Sequence, residues 1–111
     1  MNGALALSIR HAGEVTVVTV AGEVDIVTAP QLRAVLADVV ATAPPILVAD
    51  MTAVPFCGSA GLSALLQETE YAPGMSVRVV ASAPVRRIIE VTGLAQVLAL
   101  FDTVEAACLS A

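Results

Sequence analysis

Tryptophan and lysine are absent from the sequence, and its aromatic residues are limited to two Phe and one Tyr. With so few rings, any core must be aliphatic, built from Ala, Val, Leu and Ile. The missing lysines leave five arginines against ten acidic residues, a net charge of −5. Nucleic acid and anionic lipid both select a basic face, so neither is expected as a partner. Arg86-Arg87 is the one adjacent basic pair, too small for a phosphate-backbone footprint. Long unbroken apolar runs are also lacking, despite a mean hydropathy of +0.89. Val39 to Ala49 is interrupted by Pro44-Pro45, and Met51 to Gln67 contains Pro55, Gly58 and Gly61. A spanning helix needs roughly 20 consecutive apolar residues, so no membrane span is expected. The N-terminus has no positive flank ahead of an apolar run, and no signal peptide is expected. The protein reads as soluble and cytoplasmic. Cysteine is scarce. Cys57 and Cys108 lie far apart without metal-ligand spacing, and both read as reduced, small buried residues. No metal site or cofactor is expected.

What is present suits one domain of 111 residues, 58% hydrophobic and only 14% charged, which can bury a substantial core. Ala4 to Arg10 alternates loosely and Val15 to Val20 is β-branched throughout, so both read as strands. His11-Ala12-Gly13-Glu14 between them predicts an antiparallel hairpin. Thr28-Ala29-Pro30-Gln31 announces a helix, with Thr28 as cap, Gln31 reaching back to it and Pro30 in the first turn. Leu32, Val35, Leu36, Val39 and Val40 form its apolar stripe, and Pro44-Pro45 ends it. Ile46 to Ala49 predicts a short buried strand ending at Asp50, whose carboxylate is expected to bond loop amides. A second helix is predicted from Ser59 to Tyr71, followed by a Pro73-Gly74 turn and a strand at Ser76 to Val80. Ser82-Ala83-Pro84 opens a third helix, with Val85, Ile88 and Ile89 inward and Gly93 at its end. Leu94 to Phe101 can hold a short strand, and Asp102 with Glu105 opens a last amphipathic helix. Alternating strands and helices imply parallel pairing, so the expected α/β fold is one mixed sheet. It consists of an N-terminal antiparallel hairpin plus parallel strands, with about four helices mainly on one face. How the other face is covered stays open.

Two loops of small residues interrupt these patterns: Ala21-Gly22-Glu23-Val24-Asp25, and Phe56-Cys57-Gly58-Ser59-Ala60-Gly61-Leu62. Loops at one edge of a parallel sheet lie near each other, so the two are expected to share a surface. Catalysis would need a nucleophile, a base and an orienting group. The single histidine, His11, is remote in sequence from Ser59 and Cys57 and reads as a surface residue, so the chain is not expected to be an enzyme. Taken alone, Ser59 reads as a helix N-cap, Glu23 and Asp25 as solvated charges, and Arg86 and Arg87 as solvated face residues.

The order and spacing of Gly22-Glu23-Val24-Asp25, Ala29-Pro30, Leu32, Asp50 to Val54, Phe56 to Leu62 and Thr92-Gly93-Leu94 resemble the STAS domain. Within it, the resemblance is to the bacterial anti-sigma factor antagonists, over nearly the whole chain. It implies a single STAS domain over residues 1–111 that binds an anti-sigma factor of the serine kinase type and so releases a sigma factor for transcription. It further implies inactivation by phosphorylation of Ser59. Glu23, Asp25, Gly58, Ser59, Ala60, Gly61 and Leu62 are the implied partner-binding residues, with a monomer as the simpler state. The motif departs from the family at Gly58, where Asp is usual, and at Ala60, where a second hydroxyl is usual. Ser59 is thereby the one acceptor in the loop. Two alternatives stand beside this reading: a non-phosphorylated STAS module of a transporter or other signalling complex, and an antagonist gated by oxidation of Cys57 or Cys108.

Overall fold

The computed structural model describes residues 4–70 and 74–109. Strands β1 (Ala6–Ala12) and β2 (Val15–Ala21) form the antiparallel hairpin. Its turn is only Gly13-Glu14, with Gly13 at φ +64. A positive φ at the first turn residue matches the twist of the flanking strands, so pairing runs right up to Ala12 and Val15. His11 and Ala12, expected in the turn, are therefore strand residues.

Helix α1 (Ala29–Ala41) follows, then β3 (Ile46–Ala53), α2 (Ser59–Glu70), β4 (Ser76–Ala81) and α3 (Ala83–Val91). A single 3-10 turn at Leu94–Gln96 leads into β5 (Ala99–Phe101) and α4 (Val104–Cys108). The strands lie in the order β1-β2-β3-β4-β5, parallel from β2 onward. The expected mixed sheet is present. The predicted end of the second helix at Tyr71, and Pro73 of the following turn, lie outside the described residues.

Asp50 does not end its strand. Its Oδ1 accepts from the Thr52 amide (3.1 Å) and the Thr52 hydroxyl (2.8 Å), so the carboxylate is satisfied within β3 and, among the described residues, bonds no loop amide. The β2–β3 register slips between Thr19 and Ala21, and pairing resumes at Ala21 with Ala53. That continuation sets the spacing of the two loops beyond it.

Alternating strand residues feed two cores. Val18, Val20, Leu47, Ala49, Met51 and Val79 face helices α1 to α3 and pack on Leu32, Leu36, Leu62, Leu65, Val85 and Ile89. On the opposite face Val15, Val17, Ile46, Val48 and Val80 meet Ala107, with Phe101, Val104 and Cys108 at the margin. The short helix α4 thus covers the face the sequence left open. Arg78 lies buried there. Its guanidinium donates to the carbonyl oxygens of Ala107 (2.9 Å) and Leu109, and sits 5.5 Å from the centroid of the Phe101 ring. Carbonyls at the end of α4 offset a buried cation that has no carboxylate partner among the described residues.

Three smaller expectations are corrected. Gln31 does not return to Thr28; its Oε1 accepts from the Leu5 amide (3.0 Å), tying α1 to the chain before β1. Ile88 is 39% exposed, because only Val85 and Ile89, four residues apart, point into the core. Arg86 is not simply solvated. It pairs with Asp102 (2.9 Å) and Glu90 (3.9 Å), joining α3 to the chain after β5.

Candidate functional site

The parallel strands β2 and β3 release their chains at the same sheet edge, and backbone hydrogen bonds join the two loops that follow. Gly22 N–H donates to Ala53 O (3.1 Å), Val24 N–H to Phe56 O (2.9 Å), and Gly58 N–H to Val24 O (2.9 Å). Val24 and Cys57 form an isolated parallel bridge. Glu23 to Asp25 therefore runs alongside Phe56 to Gly58. Gly22 has φ +114, a conformation that favours glycine, and it turns the chain from β2 into this bridge.

Below the bridge lies Gly61 of α2. A Cβ at that position would come within 2.7 Å of Cys57 Sγ and closer still to Val24. Glycine is thus required for α2 to approach the paired loops. Val24 and Cys57 are both buried.

The first loop is tightly hydrogen-bonded. Thr28, 2% exposed, donates its hydroxyl to Glu23 O (2.8 Å), and its Oγ1 accepts from the Asp25 amide (2.9 Å). Asp25 Oδ1 accepts from the amides of Val27 (2.9 Å) and Thr28 (3.0 Å). These bonds, led by that from the Thr28 amide, hold the Asp25 carboxyl below its ordinary value of 3.8, so it is an anion at neutral pH.

The second loop ends differently. Gly58 O accepts from Gly61 N–H (3.1 Å) and Leu62 N–H (3.2 Å), which makes Gly58 the cap position of α2 and Ser59 its first residue. Ser59 is exposed, and its hydroxyl has no hydrogen-bond partner among the described residues. The capping role available to an isolated serine is not the one it has. The hydroxyls before the other helices are engaged. Thr28 bonds within its own loop, Ser82 donates to Val54 O (2.6 Å), and Thr103 Oγ1 accepts from Ala106 N–H (3.0 Å).

A mixed sheet carrying this pair of joined loops corresponds to a known family. The STAS domain family model matches residues 6–107. The chain belongs to the STAS domain family. It is 38% identical to the anti-sigma-F factor antagonist RsfB of Mycobacterium tuberculosis over 102 residues, covering 89% of this chain and 83% of that protein. The crystal structure of an anti-sigma factor antagonist from Mycobacterium paratuberculosis superposes with a TM-score of 0.88 at 40% identity, covering 93% of this chain and 90% of that one. The antagonist SpoIIAA in its unphosphorylated form shares the fold, with a TM-score of 0.67 at 20% identity, over 91% and 92% of the two chains.

In this STAS domain, Glu23 and Ser59 are exposed, while Asp25, Gly58 and Ala60 are partly exposed at the same edge. Gly61 and Leu62, expected to touch a partner, are buried and shape the surface from beneath. Three exposed apolar residues lie outside the implied partner-binding set: Ile26 (81% exposed), Val27 (70%) and Phe56 (52%), the last in the second of the two loops singled out from the sequence. For Ile26 and Val27 the signal in the sequence was an apolar pair just before Thr28, off the apolar stripe of α1.

Cys57 is buried, and desolvation pushes its thiol up to about 11, so it is protonated and a poor nucleophile at neutral pH. Cys108, expected to be buried, is half-buried at the margin of the core on the opposite face of the sheet, and both cysteines are free. Among the described residues no group of three or more His, Cys, Asp or Glu side chains could hold a metal ion, and no helix is long and apolar enough to cross a membrane.

Proposed function

We propose that this STAS domain is an anti-sigma factor antagonist. As a single chain it docks its two-loop edge onto an anti-sigma factor of the serine kinase type and thereby frees a sigma factor for transcription. Phosphorylation of Ser59 by that kinase ends the interaction. The observation that carries the reading is the unengaged, exposed hydroxyl at the first position of α2, beside a hydrogen-bonded acidic loop.

The chemistry follows from the geometry. The kinase transfers the γ-phosphoryl group of ATP to Ser59 Oγ, the hydroxyl proton leaves, and ADP departs. Among the described residues no hydrogen bond has to break to present that oxygen. The amides at the start of α2 tolerate an anion, so the helix survives the modification. The product adds about −1.5 to −2 charges at pH 7 beside Asp25 and Glu23. A partner face that had accommodated a neutral hydroxyl then meets a bulky dianion, and local electrostatics alone reverse the docking. The antagonists to which this chain is 38–40% identical support the assignment, since their names state this role.

The test is binding to purified anti-sigma kinases of the same bacterium, with and without ATP, alongside mass spectrometry of Ser59. Wild type should bind without ATP and dissociate as phosphate accumulates on Ser59. Ser59→Ala should stay bound in ATP, and Ser59→Glu should bind weakly throughout. Equal affinities for the Ala and Glu variants would remove Ser59 from the mechanism. Tight binding unaffected by ATP would instead favour a non-phosphorylated interaction module.

A further inference from the structure

We infer that the partner is gripped by an apolar anchor of Ile26, Val27 and Phe56, so the matching face of the anti-sigma factor is an apolar hollow edged by arginine or lysine. This inference rests on the docking role proposed above for the two-loop edge and specifies what holds it.

Eight large apolar side chains are exposed among the described residues, and three of them, Ile26, Val27 and Phe56, belong to these two joined loops. Ile26 at 81% is the most exposed of the eight. The same two loops bury Val24 and Cys57 completely or nearly so, which means the sequence could hide apolar groups here and leaves these three outside.

The anchor is also held in place. Asp25 Oδ1 accepts from Val27 N–H, and Asp25 O accepts from Ala29 N–H (2.8 Å), so Ile26 and Val27 sit in a closed turn. The Phe56 ring lies against Gly58. A Cβ there would stand 3.3 Å from the ring Cζ, so the ring packs closely on the bare glycine. A backbone held in its bound shape before docking reduces the conformational freedom lost on association, which favours interface hot spots. Glu23 and Asp25 flank the anchor, Asp25 held as an anion by its own turn. An apolar centre with carboxylates at its edge selects a complementary face with cations at the rim.

The anti-sigma kinase of the same bacterium that binds wild type most tightly is titrated, without ATP, against Ile26→Ser, Phe56→Ser, Val91→Ser, Val97→Ser and Ser59→Glu. Val91 (73% exposed) and Val97 (65%) are equally apolar and exposed but lie on and just after α3, so they control for general loss of hydrophobic surface. Affinity should fall about tenfold or more for Ile26→Ser and for Phe56→Ser, mainly through faster dissociation. It should be unchanged for the two α3-side controls, with thermal midpoints of all four serine variants near wild type. Wild-type affinity in Ile26→Ser and Phe56→Ser, with Ser59→Glu still weakened, overturns the anchor and leaves the switch standing. Equal losses in the Val91 and Val97 variants also overturn it. If no anti-sigma kinase binds wild type, both proposals fall.

Discussion

Helices α1 and α2 start at the same sheet edge, after the loops that follow β2 and β3, and they handle their first residues in opposite ways. Before α1, Thr28 and Asp25 satisfy one another and the loop backbone, with the Thr28 hydroxyl buried and every bond internal. Before α2, the cap position is a glycine with no side chain, and Ser59 is exposed, its hydroxyl without a partner among the described residues. A polar group that folding uses cannot be altered without cost to the fold, whereas one that folding ignores is available for chemistry. The contrast separates a scaffold loop from a display loop.

Substitutions can break that comparison in order of expected effect. Gly61→Val should be the most damaging, because its side chain collides with Val24 and Cys57 beneath the bridge that joins the loops. Overpacking of this kind costs about 3 kcal/mol, measurable by urea denaturation. Adding Val24→Ala should recover part of the loss, since both side chains compete for one space. If Gly61→Val is as stable as wild type, the close approach of α2 to the bridge is wrong.

Thr28→Val keeps the shape and removes the hydroxyl, leaving Glu23 O and the Asp25 amide without their partner in a partly buried site. A loss of about 2 kcal/mol is expected by the same measurement. Asp25 provides a pH-dependent version of this test. Its folded pKa is lowered, so its contribution is complete above the unfolded value of 3.8 and disappears as pH falls through the folded value. Wild type should therefore lose stability relative to Asp25→Asn below about pH 3.8, and the two should run parallel at neutral pH. A constant difference across the acid range would mean the carboxylate is not held by the turn.

The smallest effect belongs to the display loop. Ser59→Ala should change stability by no more than about 0.5 kcal/mol, because no bond is lost. A loss comparable to that of Thr28→Val would reveal a partner for the hydroxyl and erase the distinction between the loops.

Much of the fold was legible because periodicity reports burial directly. Leu32, Leu36 and Val39 recur at helical spacing and are buried, and Gly93 takes the left-handed conformation expected after α3. The errors cluster where polar groups choose between partners. Thr28, Gln31 and Ser82 occupy capping positions, but their side chains bond to Glu23, Leu5 and Val54 instead. Asp50 reads as a strand end in the sequence, although a threonine two residues on satisfies it within the strand. Local spacing cannot identify a hydrogen-bond partner that lies 26 or 28 residues away. The candidate surface was similarly half visible. Glu23, Asp25 and Ser59 could be named from their motif, while the exposure of Ile26, Val27 and Phe56 and the burial of Leu62 depended on how the loops cross.

The order of strands and helices, the aliphatic core and the two loops of small residues follow from sequence alone, because they depend on near-neighbour patterning and on turn chemistry. Tertiary structure decided what each polar side chain bonds to, that α4 and Arg78 cover the second face, and that Ser59 is left free while Thr28 is not. Those outcomes depend on which distant backbone groups arrive at the same place, and only the completed sheet brings them there.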